Sequence, residues 1–425
     1  MSNERQNSRV HTAGTITVLA WTALALASHR LAPVPITFTL AILAVAWGAA
    51  FAASGPAAVP SRKLLLAWSA LAHLVACTSA PVYEDDHWRY LWDGHVFATR
   101  GTPYGVAPLD WFARADVPVA MGRVLDGINH PELPTIYGPI PEWAFLASHA
   151  VSPGERWPLQ LLLVACSLAT IAMLAPRAGR WAPLVAWCPL LVFETGVHVH
   201  FESLGLLALT GALIAAERQR GVWAGVLAAI ACLTRPFAGL IALPLALRGG
   251  WKVVVGALVT LIAIALPFVW RGHGIGLESL GAFLTHWEYD SSLYALLHTA
   301  IGDAARLVCA ALLALGIAGL LVIGRREGAA WPRGEWMLAL FFLLSPIVNP
   351  WYVLWLLPFV AIRPTRWGFT ALAAASLAYV NGWNLPGASP GYEHPSWLRP
   401  LQYGVVVLAA ALDWRAARSE GQRQR

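Results

Sequence analysis

Charge is what this chain has least of. Asp, Glu, Lys and Arg make up 12% of its 425 residues, 58% are apolar, and mean hydropathy is +0.58. Soluble domains carry about twice that charged fraction, so a water-soluble globular fold is excluded. Cysteine is scarce as well. Cys77, Cys166, Cys188, Cys232 and Cys309 all lie inside apolar runs, without metal-ligand spacing or a pairing framework. They read as small packing residues. No convincing internal repeat is present, which counts against the paired halves common among transporters.

What the chain has in quantity is apolar runs. Candidate spans are 13–29, 36–54, 64–81, 158–175, 182–197, 202–216, 221–234, 236–248, 252–270, 304–324, 335–348, 351–362, 367–381 and 398–413. The longer ones suffice to cross a hydrocarbon core of about 30 Å as helices. The expected class is an all-α polytopic membrane protein of about 11–14 spans, residues 1–425 forming one membrane domain. With the N-terminus in the cytoplasm, 19 of the 29 Lys and Arg fall on inner connections, and every inner connection holds at least two. That distribution obeys the positive-inside rule and also leaves the C-terminus inside. The basic pI near 9.2 then follows from topology, and nucleic acid is not an expected partner. Arg5 and Arg9 ahead of a run ending Ala-Leu-Ala-Ser resemble a signal peptide; retention as an anchor is the expectation.

Polar residues collect at one set of span ends. Tyr83-Glu84-Asp85-Asp86-His87-Trp88-Arg89-Tyr90 comes after the third run and opens the long outer loop 82–157. Ionised groups beside hydrocarbon are costly unless solvated or paired, so the cluster suggests a reaction centre at the membrane surface. Residues 86–99 pattern as an interfacial helix, with Trp88, Leu91, Trp92 and Phe97 on one side and Asp86, Arg89, Asp93 and Arg100 on the other. Pro131, Pro134, Pro139 and Pro141 stiffen the second half of the loop. A second outer loop, 271–303, carries His273, Glu278, His286, Glu288 and Asp290, and a third, 382–397, carries Tyr392, Glu393 and His394. His198, His200 and Glu202 invite comparison with a metal site. On a helix only His198 and Glu202 would share a face, so a divalent metal is conceivable but not indicated. Most boundary Trp read as the ordinary interfacial belt. Arg235, beside Pro236, calls for an anionic partner or ligand.

Asp85-Asp86-His87-Trp88-Arg89-Tyr90-Leu91-Trp92-Asp93-Gly94, with Gly101-Thr102-Pro103-Tyr104 after it, resembles the first outer loop of bacterial GT-C glycosyltransferases. The similarity continues through Asn129-His130-Pro131-Glu132 and Pro134-Thr135-Ile136-Tyr137-Gly138-Pro139, His200-Phe201-Glu202, Arg235-Pro236 and Asn349-Pro350-Trp351-Tyr352. It departs at Gly138, where relatives carry Pro, at Glu202, where they show Asp, and at Arg235, where Lys is more usual. The resemblance implies a GT-C-like bundle with a large first extracytoplasmic loop. It also implies an inner-membrane hexosyltransferase, most often a mannosyltransferase, with a polyprenyl-phosphate sugar as donor and a glycan or glycolipid as acceptor, working among membrane lipids.

Transfer from a lipid phosphate needs a base for the acceptor hydroxyl and cations for the departing phosphate, but no general acid. Asp85 and Asp86 are the candidate bases; the family register favours Asp86 and leaves Asp85 open. Neighbours on a helix point about 100° apart, so they do not form a glycosidase pair. Arg235, His200 and Arg89 are candidates for the donor phosphate, with Glu202 beside them in the motif. Tyr137, Trp351 and Tyr352 are candidates for the sugar or lipid path. The competing class is a polytopic transporter or lipid-linked sugar flippase, whose polar groups should cluster at the bilayer midplane.

Overall fold

The computed structural model describes residues 2–55, 60–271, 274–327, 331–384, 391 and 393–423. His273 and Tyr392 lie outside the described residues. Among those residues there is no strand, only an isolated bridge between Tyr289 and Ile347. Helices satisfy every backbone group within one segment, which is what an apolar chain in lipid requires.

Five described helices are long and apolar enough to cross a membrane: Gln6–Ser28, Ile36–Ala53, Trp157–Leu174, Trp251–Trp270 and Ala304–Arg325. Gly221–Thr234, Pro236–Gly249, Gly334–Leu344 and Pro350–Ile362 are apolar but shorter. The chain begins with α1 (Ser2–Ser28), α2 (Ile36–Ala53) and α3 (Arg62–Cys77), with α1 packed against the other two. After α3 come α4 (Asp86–Arg100), α5 (Val119–Asp126), α6 (Pro139–Val151) and α7 (Trp157–Leu174).

The structure departs from the sequence expectations at several runs. The run 182–197 is not one helix. It divides into Ala182–Ala186, Pro189–Val192 and a wide π-type turn, Phe193–Val197. Pro189 has no N–H with which to continue the first piece, and its ring would collide with a carbonyl one turn back. Likewise 335–348 ends at Leu344, because Ser345 precedes Pro346 and takes an extended ψ of 139°.

Residues 86–99 differ as well. The helix is there, and Gly101 ends it with φ +74°. It is not an interfacial helix with a wet face, since every residue from Arg89 to Phe97 is buried. Pairing makes this affordable: Arg89 Nε donates to Asp93 Oδ1 at 2.9 Å, one turn along. Gly94 permits the close approach, because a Cβ there would stand 2.5 Å from the Phe145 carbonyl oxygen of α6. Tyr90 then stacks on Phe145 with ring centroids 4.7 Å apart. As a result α4 is the central pillar of the 82–157 segment.

Candidate functional site

The N-terminus of α4 separates the two neighbouring aspartates. Asp85 is the N-cap residue, and its Oδ1 accepts from Asn129 Nδ2 at 2.5 Å. Asp86, the first helical residue, turns the other way. Its Oδ2 accepts from the Tyr90 hydroxyl at 3.3 Å and lies 3.7 Å from His200 Nε2, with the side chain 22% exposed.

That exposure opens into a cavity of about 1150 Å³, counting the space at its open mouth. Asp86, Arg89, Tyr137, Arg235, Trp351 and Tyr352 line it, together with Glu84, Asn129, Glu288 and Asn349. An apolar side is supplied by Leu133, Ile136, Phe283, Trp287 and Ile347. Six of the nine sequence candidates therefore share one wall, although they come from segments up to 266 positions apart in the chain. Asp85, His200 and Glu202 are not on it. His200 stands behind Trp351, the two rings stacked at 3.7 Å.

Glu202 has a different place from the one expected. It is the counter-ion of Arg235, whose Nε and Nη2 approach Glu202 Oε1 at 2.8 and 2.5 Å. Its other oxygen accepts from Trp355 Nε1 at 2.7 Å. The Arg235 guanidinium also lies over the Phe201 ring at 4.3 Å and the Tyr352 ring at 4.9 Å. Arg235 thus has its anionic partner within the protein while still facing the cavity. Arg89 is similarly engaged: besides Asp93, it donates to the Leu133 carbonyl at 3.0 Å. The loop carrying Tyr137 is pinned further by Thr135, which donates to Glu142 at 2.8 Å, and by the Tyr104 hydroxyl, which donates to the Tyr137 carbonyl at 3.0 Å. Gly138 lies against the backbone of the Gly221–Thr234 helix; a Cβ there would be 2.1 Å from the Leu233 carbonyl oxygen.

Behind His200 lies a cluster that keeps the two histidines of the expected metal comparison but not Glu202. Glu194 Oε2 is 2.8 Å from His200 Nδ1 and 3.2 Å from His198 Nδ1. The Tyr379 hydroxyl donates to the same carboxylate at 3.0 Å. All four side chains are buried. The expectation that only His198 and Glu202 could share a face assumed a helix. Instead Val199 takes φ +65°, which turns both imidazoles onto Glu194 and leaves Glu202 out. The available signal was Glu194 itself, a lone acid inside an apolar run.

Environment sets the charges. Burial pushes Asp85 up to about 6, with the Asp86 charge adding to it. Burial would raise Asp86 too, but hydrogen bonding and charge from His200, with Arg235 behind them, hold it below the usual carboxylate range. Burial alone would lower His200; Asp86 and Glu194 outweigh it and push the imidazole up to about 10. Glu84, on the cavity wall, is raised well above its ordinary value by desolvation first. At neutral pH Asp86 is therefore ionised on the wall and faces a paired but accessible Arg235. Such an arrangement can accept a proton on one side and hold an anion on the other. No family model, no curated protein and no solved structure matches this chain.

Proposed function

We propose that the protein is a membrane glycosyltransferase of GT-C type, moving a hexose, mannose first among them, from a polyprenyl-phosphate donor to the hydroxyl of a glycan or glycolipid acceptor. In this reading the first loop and the cavity face the extracytoplasmic side of the inner membrane, with both termini in the cytoplasm. The observation that carries it is the cavity wall. An ionised carboxylate, an arginine and an apolar aromatic side meet in one space among apolar helices. An amphiphilic anion is the kind of molecule that fits all three.

Asp86 takes the proton of the acceptor hydroxyl as its oxygen forms a bond to the anomeric carbon. The bond from that carbon to the phosphate oxygen breaks, and its electron pair leaves with the lipid phosphate. The leaving group is a phosphate monoester dianion whose conjugate acid has a pKa of about 6, so it departs at neutral pH without a proton. Arg235 meets the charge gathering on it, and Glu202 and Trp355 fix the guanidinium in place beforehand. Tyr137, Trp351 and Tyr352 border the sugar and the first part of the lipid. Asp85, tied to Asn129, positions the turn that presents Asp86.

Purified protein incubated with a panel of labelled polyprenyl-phosphate sugars and acceptors should release free lipid phosphate with one of them. Transport of the intact donor across a proteoliposome membrane, without cleavage, would replace the transferase by a flippase.

A further inference from the structure

We propose that Glu194, His198, His200 and Tyr379 form a binding site for one divalent transition-metal ion, zinc by their chemistry, set behind the Asp86 carboxylate. The site is independent of the transferase reading, because it rests on buried geometry alone.

Distances come first. The ligand atoms of Glu194, His198 and His200 lie within 4.8 Å of one another. Both histidine Nδ1 atoms point at the same carboxylate oxygen, at 3.2 and 2.8 Å, and the Tyr379 oxygen is 3.1 Å from that oxygen and 3.1 Å from His198 Nδ1. A tetrahedral zinc with bonds of about 2.0–2.1 Å holds its donors about 3.3 Å apart. The Glu194 contacts and the Tyr379–His198 contact stand a few tenths of an ångström inside that spacing, and the ligand atoms of Glu194, His198 and His200 are all within 4.8 Å of one another. Two irregular features of the backbone bring them together. The π-type turn Phe193–Val197 aims Glu194 inward, and Val199, a β-branched residue, adopts the left-handed conformation at φ +65°. Without that turn, side chains two residues apart would diverge.

An ion on the Nδ1 atoms fixes the proton of each imidazole on Nε2. That of His200 then faces an Asp86 oxygen at 3.7 Å, the carboxylate–histidine–metal arrangement that commonly orients such ligands.

Two imidazoles and a carboxylate form a donor set that zinc takes.

The full-length protein, purified in detergent and passed into metal-free buffer, should carry about one zinc per chain by mass spectrometry, a metal whose release is coupled to stability. Glu194→Gln and His198→Ala should lose it. Since a buried variant may fail to fold, the wild type supplies the second measurement. Stripping with a chelator should lower its melting temperature, added zinc should restore it, and cobalt should give the visible spectrum of a tetrahedral centre. Wild type without bound metal, with no zinc-dependent shift and no cobalt spectrum, overturns the proposal and leaves His200 an imidazolium between two carboxylates. Undiminished zinc in a folded Glu194→Gln variant overturns it as well, by placing the ion elsewhere.

Discussion

Two parts of this molecule bury themselves differently. The long helices Trp251–Trp270 and Ala304–Arg325 have only 22% and 17% of their most apolar window covered by protein. Between Ala182 and Ser203 the chain is buried at every position, yet there it breaks into short pieces and carries Glu194, His198, His200 and Glu202. Regular helix exposes side chains that lipid accepts. Broken helix exposes backbone and polar groups that lipid does not, so it has to sit inside protein, where partners satisfy it. Lipid-compatible surface and buried polar pairing are therefore divided between different segments of one apolar chain.

The largest effect that would test this division is at Glu202. Removing its carboxylate by Glu202→Ala leaves Arg235 buried without a counter-ion and Trp355 Nε1 without an acceptor. A loss of about 3–5 kcal/mol in unfolding free energy is expected. A variant as stable as wild type would mean that the polar interior is as tolerant as the lipid-facing surface. Gly138→Ala comes next. The added methyl meets the Leu233 backbone rather than a side chain that can rotate away, so a cost of about 1–3 kcal/mol is expected, read as a lowered melting temperature. Much smaller is Leu258→Ala in Trp251–Trp270. Leu258 is 52% exposed, and a change within about 0.5 kcal/mol should be seen in detergent.

Asp290 sharpens the comparison from the pH side. It belongs to the loop that supplies Trp287 and Glu288 to the cavity, and burial pushes its carboxyl up to about 7. Gln402 donates to one oxygen at 2.6 Å, while the other has no partner. A carboxyl raised in the folded state binds its proton more tightly there than in the unfolded chain. Its contribution is thus complete below its ordinary value of 3.8 and is lost as pH rises through about 7. Melting temperature should fall across that window, and Asp290→Asn should flatten the slope. An unchanged slope would mean the group titrates as if in water.

Much of this was legible in the sequence because it is periodic or punctuated. The apolar runs became helices at nearly the expected bounds, as with 36–54 against Ile36–Ala53 and 221–234 against Gly221–Thr234. The meeting of Asp86 with Arg235, Trp351 and Tyr352 around one space was foreseeable from the common outer face that the span ends assign them and from the resemblance, since no local pattern links positions so far apart. What could not be read was pairing inside the protein. Arg235 called for an anion, but its partner Glu202 appears only once the helices are packed, whereas Asp93 lies one turn from Arg89 on the same helix. The cluster around Glu194 was hidden for another reason. A helical period was assumed across Pro189 and Val199, where the backbone leaves it.

The central claim is that Asp86 takes the acceptor proton. Asp86→Asn keeps the side chain's size and its contacts with Tyr90 and His200 but cannot accept a proton at neutral pH. In a single-turnover assay with labelled polyprenyl-phosphate sugar, the variant should bind donor as wild type does and release lipid phosphate about 10²–10⁴ times more slowly. Asp85→Asn should lose far less. Release at the wild-type rate by the Asp86→Asn protein would contradict the assignment.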